Sequence, residues 1–234
     1  RNMIGGSFNT VLGFEAAHSA TTTSQSVNIG FQAGYGATAA DSCVNIGMYA
    51  NYDINGRNQT GATAIGKNAM YGGAAGINNT AIGYNASFGA SGSGGNNTCI
   101  GYDSSYSSGT VANEFTLGNS SIGTLRCQVT SITAISDERD KTSIETIPYG
   151  LEFVNSLQPK KFVWDHRAET DSEGNEFFSS NKGKKDIGFI AQELQSVDDD
   201  YLNLVYDENP DKLEATYGRL IPVLVQAIKE LKAE

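Results

Sequence analysis

Ser136 and Lys141 are the residues of this sequence whose types and spacing could do chemistry. They begin and end a polar stretch, Ser-Asp-Glu-Arg-Asp-Lys, at 136–141. A serine hydroxyl becomes a nucleophile when a base accepts its proton, and a lysine amine can be that base if it is held neutral. The stretch also fits a polar linker in which Ser or Asp caps a turn and the lysine is solvated. Taken alone, the spacing leaves both interpretations open.

The composition of the chain changes at this stretch. Of the 27 glycines, 22 precede residue 136, all four prolines follow it, and the net charge of −10 divides into −1 before and −9 after it. The change predicts two domains, a repetitive shaft at 1–126 and a second domain at 136–234, joined by a linker strand at 127–135. The acidic balance argues against nucleic acid as a partner. No apolar run approaches the length of a membrane span.

A repeat of 17 to 19 residues fills the first part of the chain. Its fixed point is a glycine preceded by Leu or Ile, with Ala or Ser three residues later and an aromatic residue or histidine five residues later in six of the units. The glycines are Gly13, Gly30, Gly47, Gly66, Gly83, Gly101 and Gly118. Seven units in one register predict a repeat architecture rather than a disordered linker.

The physical requirements of such a repeat predict its fold. One unit is too short to bury its own apolar face, so we expect stacked units with Ile on Ile and Ala on Ala in a thin continuous core. Each unit carries few apolar residues, and three chains sharing an axis would bury this stripe better. The winding is open between a β-roll and a triangular β-helix. The aromatic residues fit either an external stacking ladder for sugars or the core.

The units resemble known fibre sequences. Residues 79–86, Asn-Thr-Ala-Ile-Gly-Tyr-Asn-Ala, resemble repeats of phage tail fibres, and are similar to the Ala-Ile-Gly units in the heads of trimeric autotransporter adhesins. The resemblance implies a fibre shaft, either purely structural or in contact with a receptor. Because the chain opens inside the pattern, we expect it to be part of a longer protein. Five scattered acidic residues do not suggest a glycosidase pair, so a polysaccharide-cleaving domain, if one exists, is expected upstream.

The second part reads as a small α+β domain. We predict helices at 148–157 and 191–195 and strands at 160–165, 186–190 and 202–206, with a surface hairpin or loop at 166–184. A C-terminal helix starts near Leu220, or is kinked there by Pro222. Its apolar residues fit either a short coiled-coil seam or a face packed on the domain itself. The seam residues are Tyr217, Ile221, Leu224, Ile228 and Leu231.

Four motifs of this part, in order, resemble one family. They are Ser-Asp-x-Arg-x-Lys at 136–141, Leu-x-Phe-Val-Asn-Ser-Leu-x-Pro-Lys-x-Phe-x-Trp at 151–164, Gly-Phe-Ile-Ala-Gln-Glu at 188–193, and a Tyr-Gly-Arg-Leu-Ile-Pro-Val-Leu run from 217. Residues 136–234 resemble the endosialidase-type intramolecular chaperone, the S74 peptidase family. The resemblance implies a domain that trimerises, templates the folding of the preceding fibre and then cuts itself off, a self-cleaving serine endopeptidase acting once in cis.

By the same resemblance, Ser136 and Lys141 match the catalytic Ser-Lys dyad, and the cut falls between Ile135 and Ser136. Arg139 also matches a family motif, as do Gln192 and Glu193, but no catalytic role is carried over to them. We expect Lys141 to act as the general base once trimer assembly buries it, because burial disfavours the charged form of a lysine.

These observations predict the distal part of a phage tail fibre, located in the virion. Its predicted partners are itself, as a homotrimer, and a host cell-surface receptor, with a polysaccharide as one candidate. No cofactor and no metal are expected, because Cys43, Cys99 and Cys127 lack metal-ligand spacing. The alternatives are a bacterial trimeric surface adhesin that uses the same chaperone, and a permanent trimerisation clamp that does not cut.

Overall fold

A computed structural model of the chain describes residues 6–36, 38, 40–53, 55–72, 76–89, 94–129, 131–170 and 174–233. The chain divides into two compact units. The first comprises residues 1–122 with 166–181, and the second comprises residues 123–165 with 182–234. No helix of the described residues is long and apolar enough to cross a membrane.

The first unit is a β-solenoid built on seven strands of three residues each. They are β1 (Thr10–Leu12), β2 (Val27–Ile29), β3 (Val44–Ile46), β4 (Thr63–Ile65), β5 (Thr80–Ile82), β6 (Thr98–Ile100) and β7 (Phe115–Leu117). Each strand pairs in parallel with the strand of the next coil, so that Ile46 lies opposite Ile65 and Ile65 opposite Ile82. All seven form one sheet in chain order. The mainly β repeat fold predicted from the Ile-Gly register is therefore confirmed.

The turn after each strand also bonds to its neighbours, through an alternation of backbone conformations. In the fourth coil φ is positive at Gly66, Asn68, Met70 and Gly72. The amide groups of this turn bond to both neighbouring coils: the Asn68 N–H donates to the preceding coil at 2.9 Å, and the Met70 N–H donates to the following coil at 2.9 Å. Backbone groups outside the strands are thereby satisfied along the solenoid axis.

The interior of the solenoid differs from the prediction. The isoleucines do stack on one another, but on the outer face of the sheet, where they are half-buried or exposed. Since side chains alternate along a strand, the middle residue of each strand points inward. The middle residues of the five inner strands are Asn28, Asn45, Ala64, Ala81 and Cys99. A second buried column contains the predicted alanines, Ala33, Ala50, Ala69 and Ala86.

The second part of the chain contains short helices and two-stranded sheets. In chain order these are α1 (Leu151–Ser156), β8 (Lys160–Val163), β9 (Glu169–Thr170), β10 (Glu176–Phe177), β11 (Lys185–Gly188), α2 (Ala191–Gln195), β12 (Val205–Tyr206), β13 (Glu214–Ala215) and α3 (Leu220–Ala233). The antiparallel pairs are β8 with β11, β9 with β10 and β12 with β13. The buried core of the second unit consists of Leu194, Leu202, Leu204, Leu220 and Val223.

Helix α3 presents apolar residues on two faces. It begins at Leu220, with Pro222 in its first turn. This agrees with the prediction of a helix that starts near Leu220. Leu220, Val223 and Ala227 are buried, and α3 packs against α1. The heptad seam lies on the other face and is exposed. Its exposed fractions are Tyr217 47%, Ile221 64%, Leu224 45%, Ile228 66% and Leu231 61%. The helix therefore packs on its own domain through residues other than its four seam residues. Tyr217, which precedes the helix, also contacts the domain and accepts the Phe189 N–H at 3.1 Å.

Candidate functional site

The segment before Ser136 is exposed and irregular. Residues 123–129 and 131–135 form neither helix nor strand, so the predicted linker strand is not observed. Its alternating side chains have no neighbouring strand to pair with among the described residues, and an isolated strand is not stable in water. Ile135 is 94% exposed. The peptide bond between Ile135 and Ser136 is therefore carried on an accessible part of the chain.

A tight turn brings the two candidate catalytic residues together. Asp137 caps a single 3₁₀ turn at Glu138–Asp140, and its carboxylate accepts the Arg139 backbone N–H at 2.9 Å. The turn closes when the Lys141 N–H donates to the Glu138 carbonyl at 3.1 Å. As a result, Lys141 Nζ lies 2.7 Å from Ser136 Oγ and forms a hydrogen bond with it. The structure thus brings together the two residues that the motif predicts.

The Arg139 guanidinium folds back onto the capping carboxylate. Its Nε donates to Asp137 Oδ1 at 3.0 Å and its Nη2 donates to Asp137 Oδ2 at 2.6 Å. These bonds hold the pKa of the Asp137 carboxyl below its ordinary value and raise the pKa of Arg139. Sequence reasoning did not predict this pair. The Asp-x-Arg spacing inside the motif is the signal that could have indicated it.

The chemistry available to the dyad depends on its exposure. A lysine in water is cationic near neutral pH and can only donate hydrogen bonds, whereas a general base must accept the hydroxyl proton. Ser136 and Lys141 are both exposed in the single chain. One chain therefore provides the contact between nucleophile and amine, but it does not remove water from the amine.

The other motif residues lie apart from this contact. Glu193 in α2 forms an ion pair with Lys160 at 3.5 Å, and Gln192 is exposed on the same helix. Neither contacts Ser136 or Lys141 in the part of the chain that the structure describes. Among those residues no group of three or more His, Cys, Asp or Glu side chains could hold a metal ion.

The ladder of aromatic side chains is external, but its ring faces are covered. His18, Tyr35, Tyr52, Tyr71 and Phe88 stack with centroid distances of 4.9 to 5.1 Å. Tyr106 departs from the ladder, because it is buried and bonded to Ser87 Oγ at 2.5 Å. A sugar stacks on the face of a ring, and each inner ring has both faces against its neighbours. The inner rings therefore offer only their edges.

Comparison with known proteins finds a family match in the second part of the chain. The family model described as chaperone of endosialidase, Peptidase S74, matches residues 136–203. The match begins at the candidate serine and includes the turn, α1 and α2. This segment is therefore similar to the S74 chaperone family over residues 136–203. No curated protein and no solved structure matches the chain.

Proposed function

We propose that this chain is the distal part of a trimeric phage tail fibre, whose C-terminal domain directs the folding of the shaft and then cleaves the bond between Ile135 and Ser136. The observation that carries the proposal is the 2.7 Å contact between Lys141 Nζ and Ser136 Oγ. It lies at the first residue of the chaperone match and next to an exposed peptide bond. A β-solenoid precedes it, as expected of a fibre shaft.

The case for a homotrimer rests on apolar surface that one chain leaves in water. The α3 seam exposes four aliphatic side chains at heptad spacing, a pattern typical of parallel helix association. In the solenoid, the ten outward residues of β2 to β6 are all Val, Ile or Thr, without a charge. A further copy of the chain presents the same uncharged surfaces and would cover them.

The trimer can be tested at the α3 seam. Replacing Ile221 and Ile228 together by serine should leave α3 packed on α1, because neither side chain is buried, and should convert the trimer to monomers in sedimentation velocity. A matched control replaces the exposed Lys229 by serine on the same helix. A trimer that survives the double replacement would show that the seam does not hold the chains together.

The cleavage step can be written from the contact. Lys141 accepts the proton of Ser136 Oγ, and the oxygen attacks the carbonyl carbon of Ile135. The bond between that carbon and the Ser136 nitrogen breaks, and the nitrogen takes the proton from Lys141. The resulting ester joins Ile135 to Ser136 Oγ. Water then hydrolyses it, leaving a carboxylate on Ile135 and a free amine and hydroxyl on Ser136.

Assembly of the trimer would control this step by excluding water from the Lys141 amine. Burial in a medium of low dielectric constant disfavours a charged ammonium, so the amine becomes a base only where neighbouring chains exclude solvent. The contact is already formed in one chain, and the trimer would supply only the dehydration. Cutting would thus report that folding is complete.

Intact-mass spectrometry of the freshly purified protein tests the proposal. A fragment that begins at Ser136, absent from Ser136→Ala and Lys141→Ala variants that still form trimers, is the expected result. If the unmodified protein shows only the full-length mass, like the two variants, self-cleavage is rejected and the permanent clamp is favoured.

Attachment to a host receptor is the second half of the proposed role, with the outer surface of the coils as the contact region. Binding of the purified fibre to host cells should then be lost when surface polysaccharide is removed enzymatically. Unchanged binding would exclude polysaccharide as the receptor.

A further inference from the structure

The turn at 136–141 places one lysine among three carboxylates, at Asp137, Glu138 and Asp140. A lysine ammonium prefers a carboxylate to a hydroxyl, because hydrogen bonds between two charged groups are shorter and stronger. Lys141 nevertheless bonds to Ser136 Oγ. No ion pair joins Lys141 to a carboxylate among the residues that the structure describes. The arrangement therefore needs something that keeps the carboxylates from the amine.

Arg139 provides this for Asp137. Three donors of one residue occupy the carboxylate, namely the backbone N–H, Nε and Nη2, at 2.9, 3.0 and 2.6 Å. A guanidinium binds both oxygens in a fixed planar geometry, whereas an ammonium is a point charge on a flexible stem. In a direct competition for Asp137 the arginine therefore prevails. Glu138 and Asp140 form the 3₁₀ turn, and their side chains are exposed to solvent.

We propose that Arg139 is a positioning residue for the self-cleavage, which occupies the Asp137 carboxylate and so leaves Lys141 bonded to Ser136. The inference rests on the proposed function for its biological meaning, although the competition between the two cations is a property of the turn itself. Without Arg139, the freed carboxylate would draw Lys141 away from Ser136. It would also favour the ammonium over the neutral amine.

The experiment uses four versions of the full chain: the unmodified protein, Arg139→Gln, the double variant Asp137→Asn/Arg139→Gln, and Arg126→Gln as the control for loss of an exposed arginine. Asparagine is as good a turn cap as aspartate, so the double variant keeps the turn and removes the charge. We expect Arg139→Gln to slow cleavage about two- to fivefold at neutral pH, the upper part of the range for a solvent-exposed ion pair. The pH at half-maximal rate should move upwards.

The double variant separates the two explanations of such a loss. If Arg139 acts by occupying the carboxylate, removing that charge restores the rate and the pH profile, although two residues have changed. If Arg139 only stabilises the turn, the double variant is no faster than the single one, and the proposal is overturned. Arg126→Gln should cut at the unmodified rate.

A second measurement does not depend on cleavage. In an uncut Ser136→Ala background, the acetylation of Lys141 by acetic anhydride is followed against pH by peptide mass spectrometry. Arg139→Gln should shift the midpoint to higher pH, and the double variant should return it. Equal midpoints would overturn the inference even where the protein cuts itself. If the midpoints shift but the unmodified protein never cuts itself, the inference about Arg139 stands and only the proposed self-cleavage is rejected.

Discussion

Gly66 offers the sharpest test of how the solenoid is built. It follows the fourth strand and has a φ of +130°, and a Cβ at this position would lie 2.4 Å from the Gly83 carbonyl oxygen and 2.7 Å from the Gly83 carbonyl carbon. The spacing between these coils is set by backbone hydrogen bonds, such as Gly83 N–H to Ile65 O at 2.8 Å and Asn85 N–H to Lys67 O at 3.0 Å. The neighbouring coil cannot retreat without lengthening them.

The cost of Gly66→Ala follows from two terms. A non-glycine residue held in this backbone region costs about 1–3 kcal/mol, and forcing a methyl group into a filled space costs about 1–3 kcal/mol more. The lower entropy of the unfolded alanine chain offsets about 0.4–1 kcal/mol. The expected loss in free energy of unfolding is therefore on the order of 1–5.5 kcal/mol.

Gly89 is the matched control, because it also has a positive φ, of +69°, but its Cβ would meet nothing within 4 Å. Gly89→Ala should cost only the left-handed conformation, about 1–2 kcal/mol. Both variants would be unfolded in urea in an uncut Ser136→Ala background and followed by far-ultraviolet circular dichroism. The transition midpoint of Gly66→Ala should fall well below that of Gly89→Ala. Equal midpoints would refute the argument that backbone contact between coils requires glycine.

Two further predictions follow from single side chains. Gln59 is 1% exposed, and neither of its amide atoms has a hydrogen-bond partner among the residues that the structure describes. Gln59→Met keeps the size and removes the polar atoms, so it should raise the free energy of unfolding in urea by about 1–3 kcal/mol. An unchanged or lower value would show that the amide is satisfied. The Glu230 carboxylate accepts hydrogen bonds from the Leu151 N–H at 2.6 Å and from the Gln226 side chain at 2.8 Å. These bonds hold the pKa of Glu230 below its ordinary value of 4.5. The stability that they contribute is therefore present above about pH 4.5 and is lost as the pH falls through the lowered pKa. The Glu230→Gln variant should therefore lose less stability on acidification than the unmodified protein, as measured by thermal unfolding between about pH 3 and 6. Identical pH profiles for the two proteins would contradict this role of Glu230.

Much of the solenoid could be predicted from sequence because the repeat glycines recur every 17 to 19 residues. Each strand ends immediately before a repeat glycine, as Ile46 does before Gly47, and the shared phase sets the parallel register. The facing of the side chains could not be predicted in the same way. A three-residue strand has one inward residue, and at Asn45, Ala64 and Cys99 that buried residue is small. Periodicity alone assigned that place to isoleucine.

The candidate site was also predictable only in part. The motif predicted that Ser136 and Lys141 belong together, and the turn places them in contact. The pairing of Arg139 with Asp137 could not be predicted, because side chains two residues apart meet only in a particular turn. The predicted linker strand failed for a related reason: alternation indicates a strand only where a partner strand exists.

The exposed dyad has a consequence for how such a domain could avoid cutting too early. A contact made within six residues forms as soon as the local turn forms, long before any assembly, so geometry alone cannot delay the reaction. In the proposed self-cleavage, delay would come from the charge that a lysine carries in water at neutral pH and that burial disfavours. In the proposed trimer, dehydration is supplied from outside the turn. Permanent exposure of Lys141 in the assembled trimer would leave the dyad formed and inactive, and the chain would remain an uncut clamp.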